Sequence, residues 1–332
     1  LKVDKFQIDL QMSKTALIIG ITGQDGRLLS EYLNTLNYKI YGVASGQNSL
    51  KREWIKEKPY INLIEGDLRD LSSLIKALEI SNPDEVYNLG AISSVKISWK
   101  QPELVSEVTG LGALRMLEAI KIFLHGDMSK IKYFQASSSE IFGNSKDVPQ
   151  NEDSKIMPIS PYGIAKTFAH NTTVNYREAY GAFACNGILY NHSSQYRGDE
   201  FITKKITNAV VRIKQGRQLL LELGNINHLG DWGYAGDYVE AMHAMLQNDK
   251  PVDYIISSGK RHSIQDMVTT SFSLVGIDNW VDYLIHTPEN RPTTTGLLYG
   301  DNSKIFNDLG WSPKKSMSDW LKIMIDCELK NV

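Results

Sequence analysis

Short runs of β-branched and aromatic residues recur along the first 190 positions, and between them apolar residues fall at helical spacing. TALIIGI (15–21), YKIYGVA (38–44), INLIEGD (61–67), DEVYNLG (84–90), KIKYFQA (130–136) and FACNGILY (183–190) read as strands. GRLLSEYLNTL (26–36), LSSLIKALEI (71–80) and PELVSEVTGLGALRMLEAI (102–120) carry the period of helices. Strands this uniformly apolar are covered on both faces, so the alternation predicts an α/β fold with a doubly wound parallel sheet. Beyond residue 190 the pattern loosens. Helices are predicted at 201–215, 236–247, 263–275 and 303–309, between loops rich in Gly, Asn and Pro. These boundaries predict a large domain over 14–190, with 236–258 returning to it, and a smaller C-terminal α/β domain over 191–332. Residues 1–11, ahead of Met12, read as an extension or cloning remnant.

Charge narrows the partners. A formal net charge of −2 over 332 residues provides no electrostatic footprint for nucleic acid or an anionic membrane. No apolar run approaches the ~20 residues of a membrane span, and LKVDKFQIDLQ lacks the pattern of a secretory signal. The two cysteines, Cys185 and Cys327, have no metal-ligand spacing, and His228, His243, His262 and His286 show none either. A cytoplasmic protein with no bound metal is expected.

The first strand runs into G-I-T-G-Q-D-G, placing Gly20, Gly23 and Gly26 at a turn that opens a helix. Glycines let the backbone turn tightly and approach a pyrophosphate, whose charge then meets the helix N-terminus. In the strand–turn–helix context this predicts a dinucleotide-binding domain of Rossmann type over 14–190, leaving 191–332 mainly for substrate. Asp67, closing the third strand, reads either as a contact to adenine or as a cap for the following helix.

Two further stretches carry candidate chemistry. QASSSEIFG (135–143) brings Ser138 and Glu140 to the end of a strand, and with an extended backbone both would project from one face. SPYGIAK (160–166) sets Tyr162 and Lys166 four apart on one helical face. An ammonium beside a phenol favours the phenolate, making Tyr162 a candidate base toward a sugar or alcohol hydroxyl. Ser138 could bond the same oxygen as it becomes a carbonyl. A simple dehydrogenase needs only Ser138, Tyr162 and Lys166. Glu140 adds the base that would abstract a proton from carbon beside a new ketone.

At these residues the chain resembles the extended short-chain dehydrogenase/reductases, and within them the GDP-mannose 4,6-dehydratases. The likeness runs from about residue 14 to about 315. It is carried by KTALIIGITGQDG, PDEVYNLGA, FQASSSEIFG, SPYGIAK, VNYREAYGAFACNGILYNH, GDWG and DNSKIFNDLGW. The resemblance implies NADP as cofactor, held by Gly20, Gly23, Gln24, Asp25, Gly26, Asp67, Leu68, Leu89, Gly90 and Ala91. Tyr162, Lys166 and His192 would lie at its nicotinamide end. It implies a nucleotide-sugar substrate contacted by Ser93, Ser138, Glu140, Tyr162, Asn191, Lys205 and Arg291. In the implied reaction Tyr162 takes the C4 hydroxyl proton as hydride leaves C4, Glu140 removes the C5 proton, water leaves C6, and hydride returns to C6. It also implies a homodimer or homotetramer, joined through helices near 102–125 and 161–180.

Several positions depart from the family pattern. An arginine pair that reads the NADP 2′-phosphate is replaced by Ala44-Ser45-Gly46, with Lys51 and Arg52 some way on, so NAD stays open as the cofactor. Gly230 stands for an arginine on the substrate diphosphate, a loss of about 2 kcal/mol or more unless another cation replaces it. Thr294 stands for a glutamate on the ribose, and Tyr196 for the first of two arginines, the second being Arg197. Two alternatives remain: a related sugar-nucleotide epimerase or 4-keto reductase, and a dinucleotide-binding protein without turnover.

Overall fold

The computed structural model describes residues 13–46, 49–287 and 296–330. Its first stretch alternates β1 (Thr15–Ile19), α1 (Gln24–Thr35), β2 (Lys39–Ala44), α2 (Ser49–Lys56), β3 (Ile61–Glu65), α3 (Leu71–Ser81) and β4 (Glu85–Asn88). Next come α4 (Val95–Lys100), α5 (Pro102–Val105), α6 (Gly112–Phe123), β5 (Lys132–Ala136), α7 (Pro161–Tyr180) and β6 (Ala184–Leu189). The remainder holds β7 (Asn191–Ser193), α8 (Ile202–Lys214), β8 (Leu221–Leu223), β9 (Leu229–Tyr234) and α9 (Ala235–Gln247). It closes with β10 (Tyr254–Ile256), β11 (Arg261–Ser263), α10 (Ile264–Leu274), β12 (Leu284–His286), α11 (Ser303–Leu309) and α12 (Met317–Lys330).

Seven strands form one sheet in the order β10-β6-β5-β4-β1-β2-β3, and every pair in it is parallel. Order reverses between β1 and β4, the switch point at which such sheets bind ligands. One face packs Ile18, Ile40 and Ala44 against Leu28 and Leu29 of α1 and Tyr238, Val239 and Met242 of α9. The other packs Leu17, Val43 and Val86 against Leu74 and Leu78 of α3 and Met116 and Leu117 of α6. This double cover is why the strands read as continuous apolar runs. β7, β9 and β11 make a second sheet, β8 and β12 a third, and α8, α10 and α12 share a separate core with them.

Local chemistry sets several boundaries. Ser160 accepts from the Gly163 amide and Pro161 opens α7, while Gly181 ends it at φ +64, a left-handed conformation that suits glycine. The predicted helix over 102–120 is interrupted, since Ser106–Leu111 widens into a π-type turn between α5 and α6. Asp67 is no helix cap. Asp70 caps α3 by accepting from the Ser72 amide.

β6 and β10 are tied to α7 by one ion pair. Arg177 forks onto Asp253 at 2.7 and 3.0 Å and also donates to the Ala184 carbonyl, and Asp253 accepts from the Asn186 amide at 2.7 Å. Burial pushes the Asp253 carboxyl up, but Arg177 more than offsets this and holds it below the usual range. A depressed carboxyl stabilises the fold above its unfolded pKa and loses that contribution as it protonates. Asp253→Asn should therefore lower the unfolding free energy by about 3 kcal/mol at pH 7 in chemical denaturation. The gap to the parent should close below about pH 4.

Candidate active site

The turn after β1 is closed by glycine against backbone. Gly20 holds φ +83, and a Cβ there would lie 3.0 Å from the Gly90 backbone. A Cβ on Gly26 would lie 2.5 Å from the Gly20 carbonyl oxygen. Gly23 starts α1 with no side-chain cap, so the first amides of that helix keep their donors for a ligand. Close backbone approach and open amides fit the pyrophosphate of a dinucleotide.

Side chains on the loop are fixed from the second sheet. The Asp25 carboxylate takes the His192 Nε2 at 3.0 Å, and His192 Nδ1 lies 2.6 Å from the Tyr190 carbonyl oxygen. Gln24 donates to the His192 carbonyl and accepts from Ser194. Burial pushes Asp25 up, but the charge and hydrogen bond of His192, with Gln24 and Arg197 behind them, bring it down to about 2. Both ring nitrogens of His192 are thus engaged by protein acceptors, and the ring stacks on Tyr238 at 4.6 Å. A contact from this ring to a carboxamide, implied by the resemblance, would first have to break one of these bonds.

The exit of β5 meets the start of α7. The backbone does not stay extended: Ser138 caps a 3₁₀ turn, Ser139–Ile141, so Ser138 and Glu140 are brought together by a turn and not by strand alternation. Gly163 admits this approach, since a Cβ there would sit 2.7 Å from the Glu140 carbonyl oxygen. Tyr162 is buried against Val105 and Ala165, hydrogen-bonds Ser138, and senses the charges of Glu140, Arg197 and Asp25. Lys166 donates to the Ala136 carbonyl at 2.7 Å, with its Nζ 5.8 Å from the Tyr162 ring centre. The expected depression of the Tyr162 pKa by Lys166 is not found. Burial dominates and carries the phenol up to about 12, with Glu140 adding to it and Ser138 and Arg197 opposing. Burial also brings Lys166 down to about 8.

Other residues singled out by sequence are dispersed. Leu68 packs beneath Gly90, whose own Cβ would meet it at 2.7 Å, and the Leu89 amide bonds the Ile19 carbonyl. Ala91 follows in the turn after β4, and Ser93 is exposed just before Ser94 caps α4. Asn191 is exposed at the start of β7, beside Trp232. Lys205 faces solvent on α8, whereas its neighbour Lys204 is buried and paired with Glu328. Arg291 and Thr294 lie outside the described residues, as do the side chains of Lys51 and Arg52.

The departures have physical reasons. A side chain on Gly230 would start 2.8 Å from the Trp232 indole, so no arginine fits while that ring stands. Tyr196 donates to Glu31 and closes on Arg27, whose guanidinium lies 5.0 Å from the Trp54 ring centre and 5.2 Å from that of Tyr196. An arginine at 196 would bring a second cation there. Arg197, which sequence left without a role, stacks 3.5 Å from the Phe201 ring centre. Its effect on Tyr162 and Asp25 depends on the fold of the segment after β7, which has no periodic signal.

Residues 17–324 match the family model described as GDP-mannose 4,6 dehydratase. The chain belongs to that family. It is 45% identical to GDP-mannose 4,6 dehydratase 1 of Arabidopsis thaliana, covering 96% of this chain and 90% of the relative. It is 41% identical to GDP-mannose 4,6 dehydratase of Dictyostelium discoideum, covering 96% and 97%. Among solved structures, a UDP-glucose 4-epimerase from Thermotoga maritima superposes with a TM-score of 0.84 at 21% identity, covering 96% and 99%, and shares the fold.

Gly26→Ala puts a methyl against the Gly20 carbonyl and the Ile21 backbone. Dinucleotide binding should weaken at least about tenfold, read as loss of ligand-induced thermal stabilisation. Circular dichroism of the ligand-free variant would separate this from misfolding.

Proposed function

We propose that this chain dehydrates GDP-mannose to GDP-4-keto-6-deoxymannose in a redox-neutral sequence. The observation that carries the reading is Glu140, a carboxylate turned in beside a Ser138–Tyr162–Lys166 set. The Gly20–Gly26 loop would hold the pyrophosphate of a nicotinamide dinucleotide, which would supply the acceptance of a hydride from the sugar and its return. Tyr162 takes the proton of the C4 hydroxyl, and Ser138 donates a hydrogen bond to the oxygen becoming a carbonyl. The ketone acidifies the C5–H bond, Glu140 removes that proton and passes it to the C6 hydroxyl, which leaves as water, and C5 regains a proton as the hydride returns to C6. With Tyr162 near 12 in the chain alone, Ser138 and Arg197 are the groups that favour its phenolate. Lys166, fixed to the Ala136 carbonyl, holds its ammonium beside the same ring.

A 4-keto reductase has no use for a base at Glu140, which favours the dehydratase over it. A cytoplasmic setting agrees with two cysteines that form no disulfide and with the lack, among the described residues, of any helix long and apolar enough to cross a membrane.

The partner is a second copy of the chain. Ile164 and Phe168 stand four apart on α7 and are 57% and 43% exposed, beside a cleft of about 510 Å³ shared with Leu114 of α6. Two such helix pairs, brought face to face, would cover these side chains. A double variant, Ile164→Glu with Phe168→Glu, should sediment as a monomer where the parent sediments as a dimer or larger. An unchanged mass would remove this face from the interface.

The activity is tested by incubating the chain with GDP-mannose and either NAD or NADP and seeking a product lighter by one water. Tyr162→Phe should stop both oxidation and dehydration. Glu140→Gln should bind dinucleotide normally while water loss falls by at least about 10²-fold. Wild-type dehydration by Glu140→Gln would remove Glu140 from the role of base.

A further inference from the structure

The turn between β7 and α8 carries Arg197, whose charge reaches Tyr162 and Asp25 and is itself faced by Glu200. Its Nε is buried without a hydrogen-bond partner among the described residues, and the guanidinium rests 3.5 Å from the Phe201 ring centre. Where that charge stands is therefore decided largely by the course of the backbone that carries it.

The backbone is closed against the first turn of α8. Ser193 Oγ and Thr203 Oγ1 share a hydrogen bond at 2.7 Å, and the Lys204 ammonium donates to the Gln195 carbonyl at 3.2 Å. Inside the turn, Ser194 accepts the Tyr196 amide through its hydroxyl and the Arg197 amide through its carbonyl. The same hydroxyl donates to Gln24 on the glycine loop. Lys204 is paired in turn with Glu328 from the last turn of α12. A carbonyl two residues ahead of Arg197 is thus tied, through a buried ammonium, to a helix of the C-terminal core.

Stability alone gives this ion pair no reason to be ionic. Only 10% of the Lys204 side chain and 17% of the Glu328 side chain are exposed. Taking both charges out of water costs about as much as their attraction returns. An apolar pair would therefore serve the α8–α12 core, which holds Ile206, Val210, Leu321 and Ile325, equally well. What an apolar pair cannot do is donate to the Gln195 carbonyl.

We infer that Lys204 and Glu328 are positioning residues for the reaction at Tyr162, holding the Gln195 carbonyl so that Arg197 stands facing the phenol. The inference rests on the reading of Tyr162 as the base of that reaction. Burial opposes the Tyr162 phenolate most, Glu140 and Asp25 add to it, and Ser138 and Arg197 favour it, with the Lys166 ammonium 5.8 Å from the ring centre. A turn released from Lys204 takes the Arg197 charge with it, and attraction to the phenolate weakens with distance.

The test uses the full chain labelled with 3-fluorotyrosine, a more acidic phenol, and follows the fluorine resonance that Tyr162→Phe removes as pH is raised. In Lys204→Met with Glu328→Leu its midpoint should move up by at least about half a pH unit, or about threefold less phenolate at a given pH below the midpoint. Lys204→Arg, which keeps a donor and the ion pair, should titrate as the parent does. In the double variant kcat for water loss from GDP-mannose should fall about threefold with KM unchanged. An unmoved midpoint in a double variant that melts as the parent does would make the pair structural only and overturn the inference. Should that variant not fold, Lys204→Met with Glu328→Gln takes its place with the same expectations. If the parent removes no water from GDP-mannose, the dehydratase reading fails, while the fluorine resonance still decides the inference.

Discussion

The clamp of α7 onto the exit of β5 is the contact on which the rest of the site depends. Three ties make it: Lys166 to the Ala136 carbonyl, Ser137 to His170, and the bare backbone of Gly163 against the Glu140 carbonyl. Because the start of α7 cannot move without breaking these, two side-chain hydrogen bonds and one backbone approach together set the positions of Ser138, Glu140 and Tyr162 relative to one another. A methyl at Gly163 would be enough to open it.

Electrostatics at the site follows from burial more than from pairing. Tyr162 and Lys166 are both pushed toward their neutral forms, in opposite directions on the pH scale, because both are taken out of water. Asp25 escapes that rule through His192, whose two ring nitrogens face a carboxylate and a carbonyl. These two contacts of one ring join the glycine loop to β7.

Much of this was legible in the sequence where a physical signal is local. Six of the seven strands of the large sheet announce themselves as apolar runs, and Gly20, Gly23 and Gly26 announce the loop because only glycine fits there. The i, i+4 spacing of Tyr162 and Lys166 survives unchanged on α7. What failed was inference about direction and environment. Glu140 reaches Ser138 through a 3₁₀ turn that SSSE does not signal. Lys166 is drawn to a carbonyl that no motif reveals, and Asp70, directly ahead of Leu71, takes the cap that Asp67 was given, three residues too early. The three-residue strands β7, β8, β10, β11 and β12 and the short helices α2 and α4 went unpredicted, since they carry too little pattern and depend on tertiary packing, and β9 and α12 were missed as well.

The placement of α9 has a consequence for how the chain is made. The first 190 residues contain β1 to β6, yet of the face that α1 shares with α9 the part along β5 and β6 is covered by Tyr238, Val239, Met242 and Met245. A nascent chain leaving the ribosome therefore carries a nearly complete sheet with the β5–β6 part of that apolar face still bare, and it stays bare while roughly fifty further residues are synthesised. During those seconds the polypeptide is at its most adhesive. A chaperone that shields this face, or a pause that shortens the wait, would act on yield without touching the finished enzyme.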